Sequence, residues 1–212
     1  MGIVERKERE KLQRREDIVD AAEKVFFSTG LKNATMDDVA DEAELSKGTL
    51  YLYFKSKEEL YLAIHLRGQA VLIDLFTKAV KTEMTGLEKT LAIGRAFFRY
   101  YQEYPDYFEA LSYYEFNEID DNDRESIAYE CMQMGHQTLD ILVDALKTGI
   151  DDGSVRPDID PFSTALILWG QTSGVIQLLS LKGRHFENEH KVNMGEMLEY
   201  AFSLAKESIQ NR

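Results

Sequence analysis

Prolines are scarce in this chain, and their positions leave long uninterrupted stretches. Only three occur among 212 residues, Pro105, Pro157 and Pro161, so the first hundred residues contain none. Because proline breaks the interior of a helix, this spacing favours long helices. Apolar residues recur at intervals of three and four, and no stretch shows the alternation of a strand. The sequence therefore predicts an all-α protein of about nine helices.

The first sixty residues carry the sharpest local pattern. A first helix is predicted over about 12–29. Thr35, with Asp38 three residues on, has the spacing of a capping box and opens a second helix over about 36–43. A tight turn leads to a third helix over about 47–53. Two short helices joined by a tight turn and braced by a longer helix indicate a helix-turn-helix, a DNA-binding motif.

The third helix should have an inward and an outward face. Leu50 and Phe54 are four residues apart, so we expect both to point into the core. Gly48 has no side chain and lets the backbone approach a phosphate or a base edge. The outward face and its flanks then carry Lys47, Thr49, Tyr51, Leu52 and Tyr53.

Side chains next to the third helix could contact the DNA backbone. Lys47 and Lys57 are cations positioned for phosphate, and Thr35 offers a hydroxyl beside free backbone amides. Each residue also has a simpler interpretation, because Tyr51 and Tyr53 could be core aromatics. The two lysines could equally be solvated surface residues.

The segment from Leu45 to Leu60, LSKGTLYLYFKSKEEL, resembles the recognition helix of the TetR family of bacterial transcriptional regulators. The resemblance covers about residues 14–62. It implies that the third helix enters the major groove and that neighbouring residues contact the DNA backbone. Glu44 departs from the pattern, because the family often has glycine there and a left-handed backbone is strained for glutamate. The implied groove residues are Lys47, Gly48, Thr49, Tyr51 and Tyr53, and the implied backbone contacts are Thr35 and Lys57.

The net charge of −13 is unfavourable for a DNA-binding protein, but its distribution is uneven. Residues 1–15 are net basic, and most of the acidic residues lie after residue 60. The basic segment has two open interpretations: a frayed helix end without a DNA role, or an arm that reaches the minor groove or neighbouring phosphates. Its cations are Arg6, Lys7, Arg9, Lys11, Arg14 and Arg15.

The remaining chain is predicted to form a second domain, with a DNA-binding domain over 1–56 and a ligand-binding and dimerisation domain over 57–212. Aromatic residues crowd into 97–116, which fits either a core or a ligand cavity. Tyrosines favour the cavity, because a buried hydroxyl needs a partner. By analogy with the family, the candidate lining is Phe97, Tyr101, Phe108, Tyr129, Met132, His136 and Trp169.

The stretch 162–181 is apolar on nearly all sides, so its helix needs burial on more than one side. With the last helix it suggests a two-fold dimer interface, and the family resemblance implies a four-helix bundle there. The alternative is that these residues only fill the core of the monomer. The candidate interface residues are Phe162, Leu166, Gly170, Gly174, Met194, Met197, Leu198, Ala201 and Phe202.

Catalytic and metal-binding patterns are weak. The four histidines show no ligand spacing, and Cys131 lacks an activating neighbour, so we expect no enzyme activity, metal or cofactor. A charged N-terminus and the lack of about 18 consecutive apolar residues predict a cytoplasmic protein without a membrane partner. The expected partners are double-stranded DNA, a second copy of the chain and a small apolar or amphipathic effector.

Together these features predict a ligand-responsive transcriptional regulator, a repressor that binds a palindromic operator as a dimer. The alternative is a helical ligand-binding protein or enzyme that retains a vestigial helix-turn-helix.

Overall fold

The computed structural model describes residues 2–116, 118–120, 122–191 and 193–211. The regular structure of these residues is helical, which confirms the all-α prediction, and includes one isolated antiparallel bridge between Val155 and Gln210. The helices are α1 (Ile3–Thr29), α2 (Met36–Glu42), α3 (Lys47–Tyr51), α4 (Lys57–Ala79), α5 (Gly86–Glu103), α6 (Pro105–Phe116), α7 (Ile127–Asp151), α8 (Pro161–His190) and α9 (Met194–Ile209).

Contacts divide the chain into two compact units. The first contains Met1–Gln69 and Asp106–Met134, and the second contains Ala70–Pro105 and Gly135–Arg212. This grouping differs from the predicted boundary at residue 56, because α6 and the first half of α7 share a core with the N-terminal helices. The boundary at residue 56 separates the predicted DNA-binding part from the predicted ligand-binding and dimerisation part. Contacts do not test that division of function, so it stays a prediction.

Helix α1 begins nine residues earlier than the apolar pattern indicated. Its first turns bury no apolar stripe, but i,i+4 pairs along the helix support it, such as Arg6 with Glu10 and Gln13 with Asp17. From Ile18 onward the same helix is buried in the first unit. The helix therefore continues, without a break, from the core into solvent.

The core of the first unit forms where α1, α2, α3 and α4 meet. Leu50, Phe54 and Leu60 are fully buried there, beside Ile18 and Val39. Leu50 and Phe54 are the two residues expected to point inward, so this part of the helix-turn-helix prediction is confirmed. Burial of these side chains on one side leaves the other side of α3 at the surface.

The second unit is built from the end of α4, helix α5, the second half of α7, and helices α8 and α9. The connection between α7 and α8 is held by backbone hydrogen bonds: the Arg156 N–H donates to the carbonyl of Ile209, and the Asn211 N–H donates to that of Ser154. Asp152 accepts hydrogen bonds from the backbone N–H groups of Gly86 and Ser154. These bonds tie the start of α5 and the end of α9 to the same loop.

Candidate nucleic-acid interface

The turn between α2 and α3 is a Schellman motif with glutamate at its left-handed position. Glu44 has φ 53°. Its N–H donates to the carbonyl of Asp41, and the next N–H, of Leu45, donates to the carbonyl of Ala40. The turn therefore has the left-handed conformation that glycine usually adopts. Glutamate at this position strains the backbone locally.

Thr35 caps α2, and its polar atoms are already engaged. Its hydroxyl oxygen accepts from the N–H of Asp38, while its own hydroxyl and N–H both donate to the Asp38 carboxylate. These bonds hold the pKa of the Asp38 carboxyl below its usual value. Thr35 is exposed, as a phosphate contact requires. A phosphate that accepts a hydrogen bond from the Thr35 hydroxyl would compete with the Asp38 carboxylate for that bond.

Helix α3 is short and begins at a side-chain cap. The Ser46 hydroxyl accepts from the N–H of Thr49 and lies 2.8 Å from the Thr49 hydroxyl. Lys47, Gly48 and Tyr51 are exposed, and Thr49 is half-buried. The structure therefore brings these four predicted groove residues together on one turn of helix.

The two tyrosines differ in exposure in a way that the helical pattern did not predict. Tyr51 is 42% exposed, whereas Tyr53 is half-buried against the core of the first unit. Helix α3 ends at Tyr51, and the Tyr53 N–H donates to the carbonyl of Leu50, three residues back. This tighter 3₁₀ turn rotates Tyr53 away from the position that 3.6 residues per turn would give it. Between them, Leu52 is 83% exposed.

Lys47 is paired with an acidic residue that sequence reasoning did not single out. Its ammonium lies 2.7 Å from a carboxylate oxygen of Asp37 in the first turn of α2. The pair raises the pKa of Lys47, chiefly through the hydrogen bond with Asp37. Both side chains are more than half exposed, so water screens this pair and a phosphate can compete for the lysine.

Gly48 is not required by the fold of the protein. A Cβ built on it would meet no atom closer than the Ser46 hydroxyl oxygen, 3.9 Å away. Its φ is not in the left-handed region, so alanine could adopt the same backbone. Glycine here lowers helix propensity without a steric reason inside the chain.

Lys57 takes a structural role in this conformation. Its ammonium donates to the backbone carbonyls of Leu31, at 2.7 Å, and Ala34, at 3.1 Å. These bonds tie the start of α4 to the loop between α1 and α2. The nearby Lys55 is exposed instead.

Two arginines connect α1 to the rest of the first unit: Arg15, a cation of the basic N-terminal segment, and Arg67, which no sequence pattern singled out. The Arg15 guanidinium lies over the ring of Phe54, 4.9 Å from its centroid. Arg67, on α4, pairs with Glu16, Asp20 and Glu23 of α1. No sequence spacing connects these residues, because the pairs form only when the helices meet.

A small cavity of about 40 Å³ lies within the second unit. Its walls come from five helices, and the candidates Phe97 and Trp169 stack on each other there with ring centroids 4.7 Å apart. The polar wall residues Thr90 and Thr172 donate hydrogen bonds from their hydroxyls to backbone carbonyls. The wall residues are Phe76, Thr90, Leu91, Ile93, Gly94, Phe97, Leu142, Leu168, Trp169, Thr172, Phe202, Ala205 and Ile209.

The other five candidate lining residues lie outside this cavity. Tyr101 is half-buried and stacks on Phe98, and His136 is exposed on α7. The remaining three belong to the first unit, because α6 and the start of α7 join its core: Phe108, Tyr129 and Met132. Helical spacing along one helix could not reveal which unit each residue would join.

The candidate dimer residues divide into surface and core. On α8, Phe162, Leu166, Gly170 and Gly174 are exposed and recur every four residues. On α9, Leu198 and Phe202 are buried in the second unit, and Met197 and Ala201 are half-buried; the side chain of Met194 lies outside the described set. Further exposed apolar residues extend the surface: Ile167, Leu178, Leu181, Tyr200 and Leu204.

The segment Pro161–Gly183 of α8 is long and apolar enough to cross a membrane, although little of it is buried. An apolar helix that packs against a second protein chain has the same composition. Among the described residues, no group of three or more His, Cys, Asp or Glu side chains is placed to hold a metal ion. Cys131 is buried, and burial raises the pKa of its thiol to about 12.

Comparison with known proteins agrees with this geometry. The chain is 31% identical to the transcriptional repressor KstR2 of Rhodococcus jostii over 149 residues, 69% of this chain and 70% of that protein. It is 38% identical to the transcriptional activator FasR of Mycolicibacterium smegmatis over 86 residues, 41% and 39% of the two chains. The crystal structure of FadR from Bacillus subtilis with stearoyl-CoA superimposes with a TM-score of 0.67 at 18% identity, covering 90% of this chain and 96% of that one.

A helix-turn-helix with an exposed, polar third helix, carried by an all-helical chain, defines a DNA-binding transcriptional regulator. Residues 18–64 match the family described as bacterial regulatory proteins, tetR family. With the extended identity to KstR2, this match shows that the chain belongs to the TetR family.

Proposed function

We propose that the protein is a ligand-responsive repressor that binds a palindromic operator as a homodimer. The observation that carries the proposal is the outward side of α3, where Lys47, Gly48 and Tyr51 are exposed above the buried Leu50 and Phe54. Two such helices in one dimer would enter successive major grooves, roughly 34–36 Å apart.

The recognition surface is proposed to combine groove and backbone contacts. Gly48 supports this, because its missing side chain has no purpose within the chain and permits close approach by another molecule. Leu52 offers an apolar contact for a thymine methyl group. The proposed groove residues are Lys47, Gly48, Thr49, Tyr51 and Tyr53, and the proposed backbone contacts are Thr35 and Lys57.

The dimer is proposed to form through α8 and α9. Ile167 is 67% exposed and Leu181 is 76% exposed, on a helix that also exposes Phe162 and Leu166. A continuous apolar surface of this kind on a protein in water marks an interaction site. Gly170 and Gly174 leave room for another helix, since a Cβ on either would meet no other atom within 4 Å.

The effector is proposed to be an apolar or amphipathic small molecule that enlarges the cavity around Phe97 and Trp169. At about 40 Å³ the cavity holds no more than a water or two, so a ligand has to separate the helices that line it. The hydroxyls of Thr90 and Thr172 donate their hydrogen bonds to backbone carbonyls. The cavity wall therefore favours a hydrocarbon ligand. An acyl chain is the first class to test, because FadR of Bacillus subtilis has been crystallised with stearoyl-CoA.

Ligand binding would release DNA by changing the distance between the two recognition helices. Both helices must fit at once, so a change in spacing is enough to lose the operator. We further propose that the protein has no enzyme activity and works in the cytoplasm.

DNA binding is tested by in-vitro selection of duplexes with the full-length protein, followed by gel shifts. Lys47→Ala and Tyr53→Ala should each weaken binding at least tenfold, while the exposed Glu58→Ala serves as a surface control. If the wild type enriches no duplex even at low salt, the regulator proposal fails and the vestigial alternative stands.

The dimer is tested by sedimentation of Ile167→Glu and Leu181→Glu. Both should shift the protein to monomers, whereas Leu52→Glu, which places the same charge just after α3, should leave the dimer intact. Association of the wild type with lipid vesicles instead of a second copy would overturn the dimer proposal.

The effector is tested by the fluorescence of Trp169, the single tryptophan of the chain. Stearoyl-CoA, stearate and a ketosteroid are titrated separately, the last because KstR2 of Mycobacterium tuberculosis is a ketosteroid transcriptional regulator. The ligand that changes the emission should also release the selected duplex. Ala205→Leu, which adds volume at the cavity wall, should weaken both effects. The sign of regulation follows from transcription of a reporter with and without the gene, because relatives include a repressor and an activator.

A further inference from the structure

The first four turns of α1 form a helical extension outside the core. Residues 5–14 are all exposed, and burial begins at Ile18. At 1.5 Å per residue the extension reaches roughly 15–20 Å beyond that point. The basic N-terminal segment is therefore helical, so each of its side chains belongs to a defined face of α1.

Three cations of this extension share one face of the helix. Lys7, Lys11 and Arg14 follow one another at intervals of four and three, so they share one face. We call these three residues the basic face. The same spacing continues into Ile18 and Ala22, which are buried against the helix-turn-helix. The basic face therefore lies on the side of α1 that faces the helix-turn-helix.

Arg15 connects the basic face to the recognition segment. It is the next residue along the same side, and its guanidinium lies 4.9 Å from the ring centroid of Phe54, three residues after the end of α3. This contact joins the inner end of the basic face to the buried side of the recognition segment, so the basic face starts beside the helix-turn-helix.

The cations on the two sides of α1 differ in their partners. Arg6 lies on the other side and pairs with Glu10. Within the described part of the chain, Lys7, Lys11 and Arg14 make no ion pair, so their charge is uncompensated. Further along the other side, Glu16 and Asp20 bind Arg67.

We propose that the basic face binds the DNA phosphate backbone beside the groove that α3 enters. This inference rests on the proposed DNA binding and adds a second, sequence-independent contact to it. Each lysine or arginine that neutralises a phosphate releases a counterion and adds about 0.9 to the slope of log K against log salt. DNA is the occupant because the face is cationic, makes no ion pair among the described residues and lies on the side of α1 that faces the helix-turn-helix.

The experiment compares two double variants with equal charge. Lys7→Gln with Lys11→Gln removes two charges from the basic face, and Arg6→Gln with Arg9→Gln removes two from the opposite side of the same turns. Binding of a duplex selected with the wild type is measured by fluorescence anisotropy from 50 to 300 mM KCl. Circular dichroism checks that both variants keep the helix.

The basic-face variant should lower the salt slope by about 2 and the affinity at least tenfold near 150 mM salt. The control should change the slope by less than about 0.5, because charges that do not touch DNA are largely screened over a Debye length of about 8 Å. Equal slopes in the two variants would overturn the inference while leaving the regulator proposal intact. Binding of anionic vesicles that depends on Lys7 and Lys11, with an unchanged DNA slope, would also overturn it.

Discussion

The ammonium of Lys47 lies 2.7 Å from a carboxylate oxygen of Asp37, so the cation at the start of the recognition helix already has an anionic partner. The two residues belong to different helices of the helix-turn-helix. A phosphate that binds Lys47 must therefore displace Asp37 or tolerate it nearby.

Asp37→Asn should strengthen DNA binding several-fold at low salt, because it removes the competing anion and its repulsion of phosphate. Asp41→Asn is the matched control, because it removes the same charge from an exposed position on α2. The Asp41 carboxylate has no partner among the described residues. Gel shifts at several salt concentrations measure the effect. Equal gains in the two variants would mean that Lys47 is not released by the substitution.

Gly48→Ala tests whether Gly48 is required for folding stability or for DNA binding. Alanine has room here and favours helix by about 1 kcal/mol, so the melting temperature should stay the same or rise by a few degrees. DNA affinity should fall at least tenfold if the backbone approaches the duplex closely. A variant that is more stable and binds DNA normally would remove Gly48 from the interface.

Glu44→Gly should stabilise the protein by about 0.5–1 kcal/mol. It removes the strain of a left-handed glutamate at φ 53°, and part of that gain is lost to the greater freedom of glycine in the unfolded chain. Glu44→Ala retains the strain and should give no gain. Urea unfolding of the three proteins measures the difference, and an equal gain in both variants would point to charge rather than backbone strain.

Lys57→Met should destabilise the first unit by about 1–3 kcal/mol, because the carbonyls of Leu31 and Ala34 lose their donor. Lys55→Met, at an exposed neighbouring position, should cost little. If Lys57 serves only the fold, the salt slope of DNA binding stays at the wild-type value in the folded variant. A slope lowered by about 1 would instead assign Lys57 the predicted phosphate contact.

His65 should make stability depend on pH. The residue is 1% exposed and its ring stacks on Tyr114. Burial lowers the pKa of His65 to about 4. The unfolded chain takes up this proton near pH 6.5 and the folded chain only near pH 4, so stability is lost as the pH falls through that window.

The loss that His65 contributes should reach about 3 kcal/mol by pH 4. His65→Phe keeps an aromatic ring against Tyr114 and should abolish this part of the pH dependence. The exposed His136→Gln should follow the wild-type curve. Identical pH profiles for wild type and His65→Phe would show that burial does not suppress protonation of His65.

The local elements of this protein follow from short-range patterns in its sequence. Proline scarcity and apolar spacing predicted the all-α fold, and the interval from Leu50 to Phe54 identified the buried side of the recognition segment. Thr35 and Asp38 form the capping box that their spacing indicated. These features depend on residues three or four apart, which a helix brings together whatever the rest of the chain does.

Contacts between residues that are distant in the chain depend instead on how the helices pack. Asp37 with Lys47, Arg15 with Phe54, and Lys57 with the loop before α2 are contacts between separate helices, and no spacing along the chain encodes them. The same limit explains why Phe97 and Trp169 line one cavity while Phe108 joins the other unit. Local periodicity specifies which side of a helix is apolar, but the neighbour that covers it depends on how all the helices are arranged together.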